Sequence, residues 1–161
     1  MTPHRIITPV TLAEDSSEAV GVAAALAAAL GSELVLAGIA PAAMPEPLLD
    51  TPDLEGLAQQ MQDQQLVDRL VTERLEELAR ALPRSVRTRT LLTSGPVGPA
   101  LVDAAREQRA DLIVVPIHRE SELAHLVHDH ADRYVLHHSD VPVLVVPTGA
   151  HDTAHLNGAA G

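Results

Sequence analysis

The chain has no cysteine, no tryptophan and no phenylalanine, and a single tyrosine among its 161 residues. Without thiols there is no disulfide framework, no thiolate metal site and no cysteine nucleophile. Without large rings, the core has to be assembled from Leu, Val, Ile and Ala, out of an apolar content of 46%. A chain of this length is expected to form one domain and can bury a single good core. Long hydrophobic runs are missing too. Met1 to Arg5 is followed by only a short apolar run, Ile6 to Val10, broken by Pro9, so no secretory signal is expected. The apolar stretch from Ala19 to Ala40 is interrupted by Gly31, Ser32 and Glu33 and does not read as a membrane span. The expectation is a soluble, cytoplasmic protein.

Catalytic signatures are also absent. There is no Gly-x-Ser-x-Gly elbow, no Walker loop and no Rossmann glycine fingerprint, and no glycine of any kind between Gly98 and Gly149. Ser94, before Gly95, reads as turn chemistry rather than a nucleophile, and Arg119, Glu120 and Glu122 read as a solvated charge cluster. No enzymatic activity is expected. Positive charge is scarce: 11 basic residues against 22 acidic ones give a net charge of −11 with neutral histidines. That disfavours nucleic acid and anionic membranes as direct partners, because both require a basic face.

What is present is an alternation of apolar runs and amphipathic segments. Arg5 to Val10 reads as a first strand. Glu14, Asp15, Ser16 and Ser17 place capping groups and negative charge at a helix start. Ala19 to Leu30 reads as a helix, apolar on most sides and so expected to be well covered, stopped by Gly31. Leu34 to Ile39 is a second strand. Ala40 to Asp53 contains Pro41, Pro45, Pro47 and Pro52 and reads as a loop. From Leu54 the residues Leu57, Met61, Val67, Leu70, Val71, Leu75, Leu78 and Leu82 recur at helical spacing up to Pro83. Glu76 and Arg80 can pair one turn apart, and a kink is expected near Gln64 and Gln65. Val86 to Leu92 alternates Arg and Thr with apolar residues, as an edge strand does. Gly95 to Pro99 turns into a helix with Pro96 or Pro99 in its first turn and Leu101, Val102, Ala104 and Ala105 on its buried side.

Leu112 to Val115 reads as a fourth strand, buried on both faces. His118 to Asp129 reads as a polar linker and helix start, Asp132 to His138 as a helix, and Val141 to Val146 as a fifth strand. Gly149 to Gly161 reads as a disordered tail, leaving residues 1–148 as the domain. Alternating strands and helices imply an α/β fold with a parallel sheet covered on both faces. Ligands of such folds sit at the carboxyl ends of the strands, at the point where strand order switches. Here that means Val10 and Thr11 after the first strand and Pro116 to Arg119 after the fourth.

Six histidines lie between His118 and His138. His125 and His128 are three residues apart, and Asp129 and Asp132 are interleaved, a composition that suits zinc, nickel or copper. The simpler reading is a solvated, His-rich helix face, because no HExxH or comparably tight spacing occurs. His137 and His138 stand at a helix end, where the dipole favours a cation. A third reading is pH sensing: protonating all nine histidines would move the net charge from −11 to −2. The expected signature is a monomer–dimer shift between about pH 7.5 and 5.5.

Three groups of residues resemble the universal stress protein family. The first is Arg5-Ile6-Ile7-Thr8-Pro9-Val10 with Ser16 or Ser17 and the Ala-rich helix running into Leu30-Gly31-Ser32-Glu33-Leu34. The second is Gly95 with Ala100-Leu101, Ala104-Ala105 and Ala110-Asp111-Leu112-Ile113-Val114-Val115. The third is Arg133-Tyr134-Val135-Leu136-His137-His138 with Val141-Pro142-Val143-Leu144-Val145-Val146. Their order and spacing span residues 4 to 147. The resemblance implies a single-domain five-stranded parallel sheet in the order 3-2-1-4-5, of the adenine-nucleotide alpha-hydrolase-like type. It also implies a homodimer pairing through the last strand, with Val141, Val143 and Val145 at the interface.

Members that bind ATP carry an Asp where this chain has Thr11, and a Gly-x2-Gly-x9-Gly-Ser/Thr loop after the fourth strand. Those loop positions fall on Pro116, Arg119, Asp129 and His130. Glycines let backbone N–H groups wrap phosphate oxygens, whereas proline removes a donor and Asp129 repels phosphate. The resemblance is therefore to the subgroup without the glycine loop, and no cofactor is expected. It implies a stress-related regulatory or protective role through protein partners. The alternative is a nucleotide module (ATP or AMP) with an altered loop, lined by Val10, Thr11, Ile39, Val115, Pro116, Arg119, Asp129 and His130. Weak ATP hydrolysis would need that site first. A metal site at His125 and His128 is the remaining alternative.

Overall fold

A computed structural model describes residues 2–42, 54–118 and 131–149. Strands and helices alternate as β1 (Arg5–Val10), α1 (Ser17–Leu30), β2 (Glu33–Ala40), α2 (Leu54–Ala81), β3 (Arg87–Ser94), α3 (Val97–Glu107), β4 (Leu112–His118), α4 (Ala131–His138) and β5 (Val143–Thr148). The strands form one sheet in the order β3-β2-β1-β4-β5, and every pairing is parallel. The expected α/β architecture is therefore the observed one. Ile6 to Val10 and Leu34 to Ala40 are buried without interruption, as continuous apolar runs must be when helices cover both faces. β3 is an edge strand, and its Arg and Thr residues are mostly exposed.

The helices divide between the faces. Ile6, Val10, Leu34, Leu36 and Val114 pack with α1 and with Val71, Leu75 and Leu78 of α2. Ile7, Val35, Ile39, Ile113 and Val115 pack with α3 and with Val135 of α4. α2 crosses β2 at Gly38, where a Cβ would lie 2.5 Å from Leu75 Cδ1 and 2.8 Å from Val71 Cγ1. Only glycine lets the helix come this close.

Several boundaries and burials differ from the sequence reading. α2 is continuous through Gln64 and Gln65, with Gln64 donating to the Asp68 carboxylate at 2.9 Å, and has no break there. Its first buried residue is Val71; Leu57, Met61 and Leu70 are exposed. The helix is about 42 Å long at 1.5 Å per residue, against about 26 Å for β2 at 3.3 Å per residue. Its first half therefore reaches beyond the sheet: Val67 is partly buried against the core, while Leu54, Leu57, Met61 and Leu66 are exposed. α1 is covered on one side only, through Ala19, Val20, Ala23, Ala24 and Ala27, while Val22 and Leu30 are exposed. Its N-terminus is capped by Asp15, whose carboxylate accepts from Ser17 N–H at 2.9 Å, and not by the Ser16 side chain. Ala40 ends β2 and Ser94 ends β3 rather than standing in loops.

Besides Pro9 of β1, two further prolines lie inside strands. β4 extends through Pro116 to His118, and β5 runs from Val143 to Thr148 and includes Pro147, so Val141 precedes the last strand. Among the described residues, no helix is long and apolar enough to cross a membrane. Residues 43–53, 119–130 and 150–161, which hold most of the expected loop (40–53), linker (118–129) and tail (149–161), lie outside the described residues.

Candidate functional site

The sheet grows in opposite directions from β1 and β4, and the connecting helices leave on opposite faces. That is the switch point at which ligands of open α/β sheets bind. β1 and β2 stay in register from Arg5–Glu33 to Val10–Gly38, but β1 and β4 are paired only at Ile6–Leu112 and Ile7–Ile113.

Two prolines account for the parting. Glu33 N–H donates to the His4 carbonyl at 2.9 Å, so by ladder alternation the odd-numbered backbone groups of β1 face β4. Ile113 N–H donates to the Pro142 carbonyl at 3.0 Å, so the even-numbered groups of β4 face β1. Pro9 and Pro116 thus withhold donors from the two edges that face each other. The strands diverge toward their carboxyl ends.

The crevice gathers some of the sequence-predicted residues. Thr11 follows β1, and Val10 is buried at its end. Pro116 alternates with Val115 and so falls on the same face as Val114 and Val10. Ile39 and Val115 are buried on the opposite face, against α3 and α4. One ligand can meet both sets only by lying across the strand ends. Arg119, Asp129 and His130 lie outside the described residues, as do His125 and His128. Among the described residues, no group of three His, Asp or Glu side chains could hold a metal ion.

Sequence reasoning missed one polar feature of this region. The hydroxyls of Thr8 and Thr11 are buried and have no hydrogen-bond partner among the described residues. A threonine in an apolar run at the switch point is the signal that could have found Thr8. The charge here is acidic: Asp15 caps α1 and Glu18 stands in its first turn. Arg74 of α2 reaches Asp15 at 3.6 Å and Glu77 at 3.0 Å. The positive end of the α1 dipole is thus already met by carboxylates.

β5 offers a different kind of site. Since β5 pairs with β4 through the even-numbered carbonyl of Pro142, the N–H and C=O groups of Val143 and Val145 point to the free edge. Both side chains are half-buried against the α3 core. Pro147, the next residue of that set, presents no donor, which shortens the usable edge. Val141 is not part of this edge. It lies before the strand with its N–H donating to Ser139 Oγ at 3.1 Å.

The profile described as the universal stress protein family matches residues 3–147. A universal stress protein in complex with cAMP shares 21% identity, with a TM-score of 0.63 over 92% of this chain and 100% of that one. The universal stress protein UspA from Lactobacillus plantarum shares 19%, with a TM-score of 0.63 over 88% and 96%. The universal stress protein from Archaeoglobus fulgidus in complex with dAMP shares 17%, with a TM-score of 0.53 over 90% and 98%. At these identities the structural likeness shows the fold. No curated protein sequence matches significantly.

Proposed function

The chain belongs to the universal stress protein family, and from that premise we propose that it is a cytoplasmic, non-enzymatic regulatory or protective homodimer. In this reading it acts through protein partners and does not bind ATP in the manner of the family's ATP-binding members. The observation that carries the reading is the connection from β4 to α4. It contains no glycine, as none occurs between Gly98 and Gly149, and it starts from a strand in which Pro116 presents no N–H to the crevice. Thr11 supplies no carboxylate, and the α1 terminus is already capped by Asp15. The residues present do not fit a Mg-triphosphate.

Dimerisation is proposed through the β5 edge at Val143 and Val145, by strand addition. Titration of Mg-ATP into nucleotide-free protein tests the reading. No heat and no thermal stabilisation at millimolar ATP are expected; binding at low micromolar affinity would overturn it.

One observation favours a second reading. Two structural neighbours are complexes with cAMP and dAMP, and in this chain the Thr11 hydroxyl, without a partner among the described residues, stands just past the end of β1. A nucleoside monophosphate brings fewer charges against Asp15 and Glu18 than a triphosphate does. Binding of AMP or cAMP without binding of ATP would establish this reading in place of the first.

A further inference from the structure

Two helices of this chain end in the same way but with different residues. α1 closes on Gly31 at φ 68°, with Ser32 N–H donating to the Ala27 carbonyl at 2.9 Å. α3 closes on Arg109 at φ 52°, with Ala110 N–H donating to the Ala105 carbonyl at 2.9 Å and Arg109 N–H to Arg106 at 3.1 Å. Both are Schellman closures, in which the left-handed residue is usually glycine. Arg109 is the one non-glycine residue at positive φ among the described residues. Its Cβ is crowded in that conformation, and glycine would cost less. Such a local violation points to a use for the side chain.

The surroundings indicate that use. A cleft of about 250 Å³ opens between α3 and the segment leading into β5, at the opposite end of the sheet from the switch crevice. Val102, Ile113 and Val141 give it an apolar floor, and Arg106, Arg109 and Asp140 stand on its rim. Arg106 is engaged: its Nε lies 2.7 Å from Asp140 Oδ2, its Nη1 3.6 Å from Asp103 Oδ1, and its Nη2 donates to the His138 carbonyl at 3.3 Å. The Asp140 carboxylate is thereby held in an ion pair. The guanidinium of Arg109 has no partner among the described residues. An unpaired planar cation above an apolar floor selects an anionic, preferably bidentate head and a short apolar tail. The volume lies below the range of about 300–1,000 Å³ for drug-sized pockets, so the ligand is small.

We propose that this cleft binds a small apolar monocarboxylate, with Arg109 holding the carboxylate and Val102, Ile113 and Val141 covering the tail. The test is titration of isovalerate and of hexanoate into the full chain, followed by amide chemical shifts. Saturable binding with a dissociation constant of about 1 mM is expected, with shifts at Val102, Ile113 and Val141, and inorganic phosphate should not compete. Arg109→Gly should melt at a higher temperature than the parent yet lose about tenfold or more in affinity. Arg109→Lys should keep both the left-handed cost and a measurable share of the binding. The proposal is overturned if neither acid binds saturably, if Arg109→Gly binds as well as the parent, or if phosphate displaces the acids.

Discussion

Gly98 lies directly against Tyr134: a Cβ on Gly98 would sit 2.7 Å from Tyr134 Cβ and 3.0 Å from its Cγ. The only tyrosine of the chain thus docks α4 onto the first turn of α3. On its other side the ring stacks with His138, centroids 3.9 Å apart and planes at 11°. The clashing atom is a Cβ fixed to the backbone and cannot swing aside, so Gly98→Ala has to displace α4. The expected loss is about 1–3 kcal/mol from overpacking, only partly offset by alanine's helix propensity of about 1 kcal/mol. Urea unfolding checks it. An unchanged or raised midpoint would show that α4 moves freely on α3.

The strands were legible because continuous Ile, Val and Leu runs call for burial on both faces, whereas their order followed from the family resemblance. Their ends were not. The sequence reading stopped these strands at Val115 and Val146, yet Pro116 and Pro147 stand inside them, at positions where the missing N–H faces the crevice or the open edge. The periodicity of α2 was legible, but its burial was not: pattern alone does not reveal that a helix outruns the sheet beneath it. Thr11 and Pro116 were found through the switch-point rule. The Arg109 cleft was invisible to that rule, because it depends on a left-handed helix end. The local signal was an arginine where Gly31 shows the chain using glycine.

Glu33 links three strands at the amino edge of the sheet. Arg5 Nε donates to its carboxylate at 2.7 Å and Arg89 Nη2 at 3.2 Å, and Arg5 Nη1 also donates to the Gln108 carbonyl. The hydrogen bond from Arg5, aided by the charges of Arg5 and Arg89 and opposed by partial burial, holds the Glu33 carboxyl below its ordinary value of 4.5. A depressed carboxyl contributes stability that is fully present above the unfolded value and is lost as pH falls through the folded one. Glu33→Gln should therefore lower stability by about 0.5–1 kcal/mol at pH 7, since the pair is partly exposed. The difference from the parent should shrink as pH falls below 4.5. A difference that stays constant as pH falls from neutral through the acid range would remove the carboxylate from this role.

Val145 separates edge pairing from folding. Its N–H points away from β4, so Val145→Pro deletes a donor on the free edge while leaving the β4–β5 ladder of Leu144 and Val146 in place. Under strand-addition dimerisation, sedimentation should show the dissociation constant of the homodimer rising about tenfold or more, with unchanged far-UV circular dichroism. A dimer that persists at parent strength would place the interface elsewhere.

Thr8 poses the sharpest question about the switch crevice. It is fully buried in the central strand, and its hydroxyl has no partner among the described residues. A buried hydroxyl without a hydrogen bond costs about 1–3 kcal/mol, and replacing it by a methyl of the same shape removes that cost. Thr8→Val should therefore raise the unfolding free energy by about 1 kcal/mol, read from urea denaturation with an unchanged m-value. A fall of similar size would mean that the hydroxyl is hydrogen-bonded in solution. Repeating the comparison with saturating AMP separates the two functional readings. If the crevice takes a nucleoside monophosphate through the Thr11 hydroxyl, Thr11→Val must lose AMP stabilisation while Thr8→Val keeps it, because only Thr11 lies past the strand end.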